Sequence, residues 1–191
     1  MHRIIRAGIL GCALGLTVLR IAVAADAPVA AADVVPGVWQ HHKVTINYFG
    51  ITSLYSCDGL GEHVRSILLH LGARKDAKVD ASGCPQGPEV PSHTAWITSD
   101  FYTLAPADSA SAETIRAHWA PREVTPHQPY FMGDGDCELI EQMKGLISGS
   151  FALRAFSYRT DCVPHEITVD GFGIKAEALV PVAASPGAVK G

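Results

Sequence analysis

The chain has 191 residues, 48% hydrophobic and 18% charged, with 15 basic against 19 acidic side chains and a formal charge of −4. That is enough apolar material for one well-buried core. The acidic balance argues against nucleic acid and against anionic membrane surfaces as main partners.

Arg3 and Arg6 precede an apolar run from Ala7 to Leu19, and Ala22-Val23-Ala24 supplies the small residues of a cleavage site. This predicts a signal peptide over residues 1–24, because an apolar run this short cannot cross a bilayer core. A periplasmic or secreted chain with no stable membrane insertion after cleavage is expected. Cys12 would be discarded with that segment. Loss of Arg3, Arg6 and Arg20 leaves 12 basic residues against 19 acidic, a charge of −7.

Residues 25–36 are mostly Ala, Pro and Val and read as a flexible leader, and residues 183–191 as a flexible tail. Between them, 37–182 is expected to form one α+β domain. Val44, Ile46 and Tyr48 alternate with polar residues, the period of a half-buried strand. Asp58 can cap a helix carrying Leu60, Val64, Ile67, Leu68 and Leu71 on one stripe, stopped by Gly72. A short strand, 77–81, leads to Cys84. A proline-rich loop over 85–92 precedes a strand over 93–104. The linker 105–113 is loop-like.

The second half runs in parallel. Residues 119–125 are strand-like, with Pro121 restricting them to an edge or an irregular start. Asp136 can cap a helix through Ile140, Met143 and Ile147, ending near Gly149. Strands over 153–159, 167–169 and 174–180 complete the chain. Trp39, Val44, Thr45 and Cys57 recur as Trp119, Val124, Thr125 and Cys137, each shifted by 80. The order of elements therefore predicts two β-α-β-β repeats, 37–104 and 115–182, with two helices on one face of a mixed or antiparallel sheet.

Four cysteines remain after cleavage, and an even number in an exported chain reads as disulfides. In a right-handed β-α-β crossover the helix runs antiparallel to its strands. Cys57 and Cys137, at helix starts, are thereby brought to the ends of the following strands, where Cys84 and Cys162 lie. The expected bridges are Cys57–Cys84 and Cys137–Cys162.

The stretch Tyr48-Phe49-Gly50-Ile51-Thr52-Ser53-Leu54-Tyr55-Ser56-Cys57-Asp58-Gly59-Leu60, with Leu69-His70-Leu71-Gly72-Ala73-Arg74 and Gly83-Cys84-Pro85, resembles a family of exported proteobacterial proteins with no assigned function. The resemblance is confined to the first half, between Tyr48 and Pro85. It implies a Gram-negative periplasmic setting and carries over no catalytic residue.

The chemistry-bearing residues have plain structural readings. No C-x-x-C pair supports thiol exchange. His63 and His70 are two turns apart on one helix, about 10 Å, which is too far for one ion. His41 and His42 point to opposite faces of a strand, and a metal site would have to draw on His41, His93 or His118. Ser53 and Ser56 lie in a turn that lacks the G-x-S-x-G pattern of a nucleophile elbow. Asp134-Gly135-Asp136 resembles a calcium loop only loosely, since the later ligands are missing. No catalytic, cofactor or metal residue is assigned. The expectation is a non-enzymatic binding or interaction module for a protein or small molecule of the cell envelope. Strand aromatics such as Trp39, Trp96 and Trp119 read first as core packing, and any that lie on an open sheet face could form a binding platform or a dimer surface; the module would act through that face or through an edge strand. The alternatives are an enzyme with a site between the repeats and a histidine-based metal-handling protein.

Overall fold

The computed structural model describes residues 34–111 and 113–182. The segment expected to be a signal peptide, Cys12 within it, and the expected tail lie outside the described residues. Six strands and two α-helices follow in chain order: β1 Val34–Phe49, α1 Cys57–His70, β2 Lys78–Ser82, β3 Thr94–Pro106, β4 Ile115–Val124, α2 Cys137–Ser150 (preceded by a short 3-10 turn, Asp134–Asp136), β5 Leu153–Thr160 and β6 Phe172–Pro181. They form an α+β fold with one six-stranded sheet in the order β2-β3-β1-β4-β6-β5, antiparallel throughout. The antiparallel form of the expected sheet is thus the one found. Within each half the last strand lies between the first and second, so the β-α-β crossover spans one intervening strand.

The 2-residue period sorts the sheet into two faces. On β1 and β3, Val44, Ile46, Tyr48, Ala95, Ile97 and Phe101 face inward. They meet Leu60, Val64, Ile67 and Leu68 of α1 and Leu139, Ile140, Met143 and Ile147 of α2 in one cluster. Both helices therefore cover the same face. The periodic stripe of α1 is the side buried. Gly72, at φ +107°, ends that helix as expected, in a conformation that favours glycine.

Both disulfides join the expected partners. Cys57–Cys84 closes 27 residues and Cys137–Cys162 closes 25, with Cα atoms 6.0 and 5.7 Å apart. Each ties a helix start to the chain just beyond the following strand.

Four local readings need correction. β1 begins at Val34, so the last three residues assigned to the leader pair with β4. The cap of α1 is Ser56, whose Oγ accepts from the Gly59 N–H at 3.1 Å; Asp58 lies in the first turn. Residues 167–169 form no strand: Ile167 and Val169 are exposed in a loop flanked by His165 and Asp170, both at positive φ. Pro121 lies in the interior strand β4, yet β1 pairs only with residues 115–118. At Pro121, β4 is bonded on one side alone, to β6, which is how an interior strand accommodates the missing donor.

Candidate binding face

The helix-free face divides into a self-covered centre and an open end. At the centre, Leu104, Ala117 and Leu179 are buried beneath Trp39 and Trp119. An arginine stacks over each indole. The Arg154 guanidinium carbon lies 3.9 Å from the Trp119 ring centre, and that of Arg74 lies 5.6 Å from Trp39 and 3.7 Å from Tyr102. Arg74 also grips Asp76 through two hydrogen bonds of 2.7 Å, which raise the guanidinium's pKa and lower the carboxyl's. Arg74 and Arg154 stand at the same offset in the chain as the tryptophans beneath them. That offset was the signal for these arginines, and the sequence reading missed them.

Farther along β1 and β3 the same face opens. Phe49 and Trp96 are 57% and 59% exposed, high values for large rings on strands. Asn47 pairs with Trp96 and Phe49 with Thr94, so the two rings sit diagonally across the strand pair. Between them lies a depression of about 370 Å³ lined by Asn47, Phe49, Gly83, Thr94 and Trp96, among others. Gly83 forms its wall: a β-carbon there would come within 2.9 Å of the Trp96 Cε3 atom. Trp96 is among the strand aromatics read first as core packing, and here it lies on the open face instead. Phe49 is not among them, although its place next to the inward Tyr48 fixes it outward by alternation.

Other aromatics lie elsewhere. Tyr48, Phe101 and Phe172 fill the core, whereas Tyr130 is exposed on a loop.

A second cluster lies under the helices, between the halves. Asp136 Oδ1 accepts a short hydrogen bond from the Tyr55 hydroxyl, and His63 Nε2 lies 3.1 Å from the same oxygen. His63 Nε2 is buried and makes no hydrogen bond of good geometry, to Asp136 or to any other group among the described residues. Asp136 Oδ2 accepts the Gly133 N–H at 2.7 Å. Burial alone would raise the Asp136 carboxyl, but His63, Tyr55 and Gly133 outweigh it and hold the pKa below the usual value. Burial and the facing Asp136 push the Tyr55 phenol well above its ordinary range. The expected cap role of Asp136 fails because its side chain turns to these partners and makes no cap bond to α2. Asp136 spends both carboxylate oxygens within the cluster, on the Tyr55 hydroxyl and the Gly133 N–H, and so latches the two halves together. Ser53, with its hydroxyl on the Gly135 carbonyl at 2.6 Å, belongs to the same seam, whereas Ser56 is the cap of α1.

The histidines considered for a metal are not brought together. His41 bonds Asp100 at 2.9 Å on the helix-free face, His93 Nδ1 bonds the Gly50 carbonyl at 2.7 Å, and His118 lies on β4. His63 meets Asp136, and His70 Nε2 meets the Glu123 carbonyl at 2.9 Å. The structure instead gathers His127, Asp134 and Asp170, whose ligand atoms lie within 4.8 Å of one another. His127 and Asp170 are 73% and 69% exposed, and no local spacing announces the group.

No protein-family model, curated protein or solved structure matches the chain.

Proposed function

We infer that this chain is an exported, disulfide-stapled binding module that contacts its ligand through the helix-free face of the sheet, at the Phe49–Trp96 notch. The observation that carries the reading is the pair of large rings, each exposed by more than half and set side by side on one strand pair, a contiguous apolar patch of the kind that marks interaction sites. The export reading rests on the N-terminal segment and on two disulfides, which persist in oxidising compartments such as the periplasm. Duplication of a β-α-β-β unit is supported by the matching element order of the halves and by the two Trp–Arg stacks at one common offset.

Edge-strand pairing is the weaker mode. β2 has only five residues and carries Lys78 and Asp80, and β5 is interrupted by a register shift between Arg154 and Ser157. Both features discourage strand addition. The enzyme alternative has its own observation, the Tyr55–His63–Asp136 cluster.

Co-sedimentation with a native envelope fraction separates the readings. The wild-type chain and Asp136→Asn should both be retained, and the Phe49→Ala/Trp96→Ala double variant should not. Equal retention of all three would remove the notch from consideration.

A further inference from the structure

Resting on that reading, we propose that the ligand is an uncharged saccharide chain, with one pyranose ring stacked on Trp96 and its hydroxyls bonded by the polar rim. Trp96 is a preformed platform. Its ring packs against Gly83, where φ is +83° and any side chain would strike the indole. Gly83 adjoins Cys84, which is tied to Cys57 at the start of α1. Little motion is left to freeze on binding, which favours affinity for a flexible, hydrated ligand.

The rim supplies the chemistry. The neighbours of Trp96 on this face are Asn47 and Ser82 directly opposite and Thr94 and Thr98 along its own strand. They offer an amide and three hydroxyls, all uncharged, each able to donate and accept. The nearest charge is Asp80, one pair farther out and opposite Thr98, while Lys43, Lys78 and Asp100 lie two pairs out, and Asp100 is engaged by His41. An uncharged rim on an acidic chain disfavours a polyanion. A purely apolar partner would leave the Asn47 amide and the Ser82 and Thr94 hydroxyls unpaired, the Thr98 hydroxyl already being bonded to Thr45. A ring with apolar C–H faces and an equatorial belt of hydroxyls satisfies both parts. The depression, about 370 Å³, falls at the small end of the roughly 300–1,000 Å³ of ligand sites. A second copy of the chain is a poorer occupant. Two aromatic rings bury about 150–250 Å² each, short of the roughly 800 Å² per partner of a stable interface.

The test is NMR titration of the isotope-labelled chain, following the three indole N–H signals, with chitotetraose, cellohexaose and, separately, an acidic and an apolar peptide. A saturable shift of the Trp96 signal with a saccharide is expected, with the Trp39 and Trp119 signals unmoved. Trp96→Ala should weaken binding at least ~10-fold while Trp96→Phe retains part of it, because the smaller ring still stacks. No Trp96 shift at saccharide concentrations up to about 10 mM, where even very weak complexes register, would overturn the proposal. If a peptide then moves Trp96, the notch is a binding site for another ligand class. If neither peptide nor saccharide does, the binding reading of the notch falls with the saccharide.

Discussion

Asp136 shows how one side chain can serve a different end from the one its position suggests. At the start of α2 it reads as a cap, but its carboxylate is 8% exposed and turned to Tyr55 and His63 of the other half. Asp136→Ala would strand the Tyr55 hydroxyl and the Gly133 N–H, and should lower stability by about 2–4 kcal/mol in denaturant unfolding. The sign with pH follows from the depressed carboxyl. Its contribution is complete above the unfolded value of about 4 and is lost as pH falls through the lower folded value. The variant should therefore show a flatter stability profile below about pH 4. His70 adds an earlier step. Burial lowers its pKa, more than its bond to the Glu123 carbonyl raises it, so its neutral form is the folded one. Stability should begin to fall as pH drops below about 6.5, and His70→Gln should remove that part. At Gly83 the expectation concerns conformation. Gly83→Ala meets both a left-handed backbone and the Trp96 ring, so it should cost about 1–2 kcal/mol and shift the Trp96 fluorescence.

The elements were largely legible because their signals are local. The apolar stripe of α1, its glycine stop and the alternation of β1 each lie within one helix or one strand. The cysteine pairing was legible for a related reason, since a β-α-β crossover fixes which ends meet. Where the reading failed, a neighbour overrode local preference. Ile167 and Val169 favour a strand by side chain, but the Cys162 anchor, Pro164 and two positive-φ residues hold that stretch in a loop. Pro121 disfavours an interior strand by itself, and only the short β1–β4 pairing makes room for it. The disulfides carry weight at this scale. Replacing Cys57 and Cys84 together by serine should lower stability by roughly 3–4 kcal/mol in the chain-entropy model, read from urea midpoints. The same change frees Gly83 and should blur the Trp96 environment, whereas loss of Cys137–Cys162 should leave it alone.

Across the whole molecule the halves are interlocked as well as adjacent. Glu138 of α2 accepts the N–H groups of Ile51 and Thr52, and Gln142 exchanges two hydrogen bonds of 2.8 Å with the Phe49 backbone. One half thus braces the strand end that carries the exposed ring of the other. None of this was legible, since Ile51 and Glu138 lie in different halves and no local pattern links them. The notch was half legible: alternation places Phe49 and Trp96 outward, but only the β1–β3 register sets them side by side. Phe49 and Trp96 are also features of the first half alone, for their counterparts in the second, at the offset that relates the tryptophans, are Pro129 and Ala176. The order of elements is what the halves share, and the proposed binding surface is what they do not. The central claim, contact through the helix-free face, is tested most directly by photo-crosslinking in the native envelope. A photoreactive residue would be placed at Thr45 or Thr94 on that face and at Glu62 or Ser148 on the exposed side of the helices. Adducts from the first pair and none from the second are expected. Adducts from the helix positions alone would contradict the account.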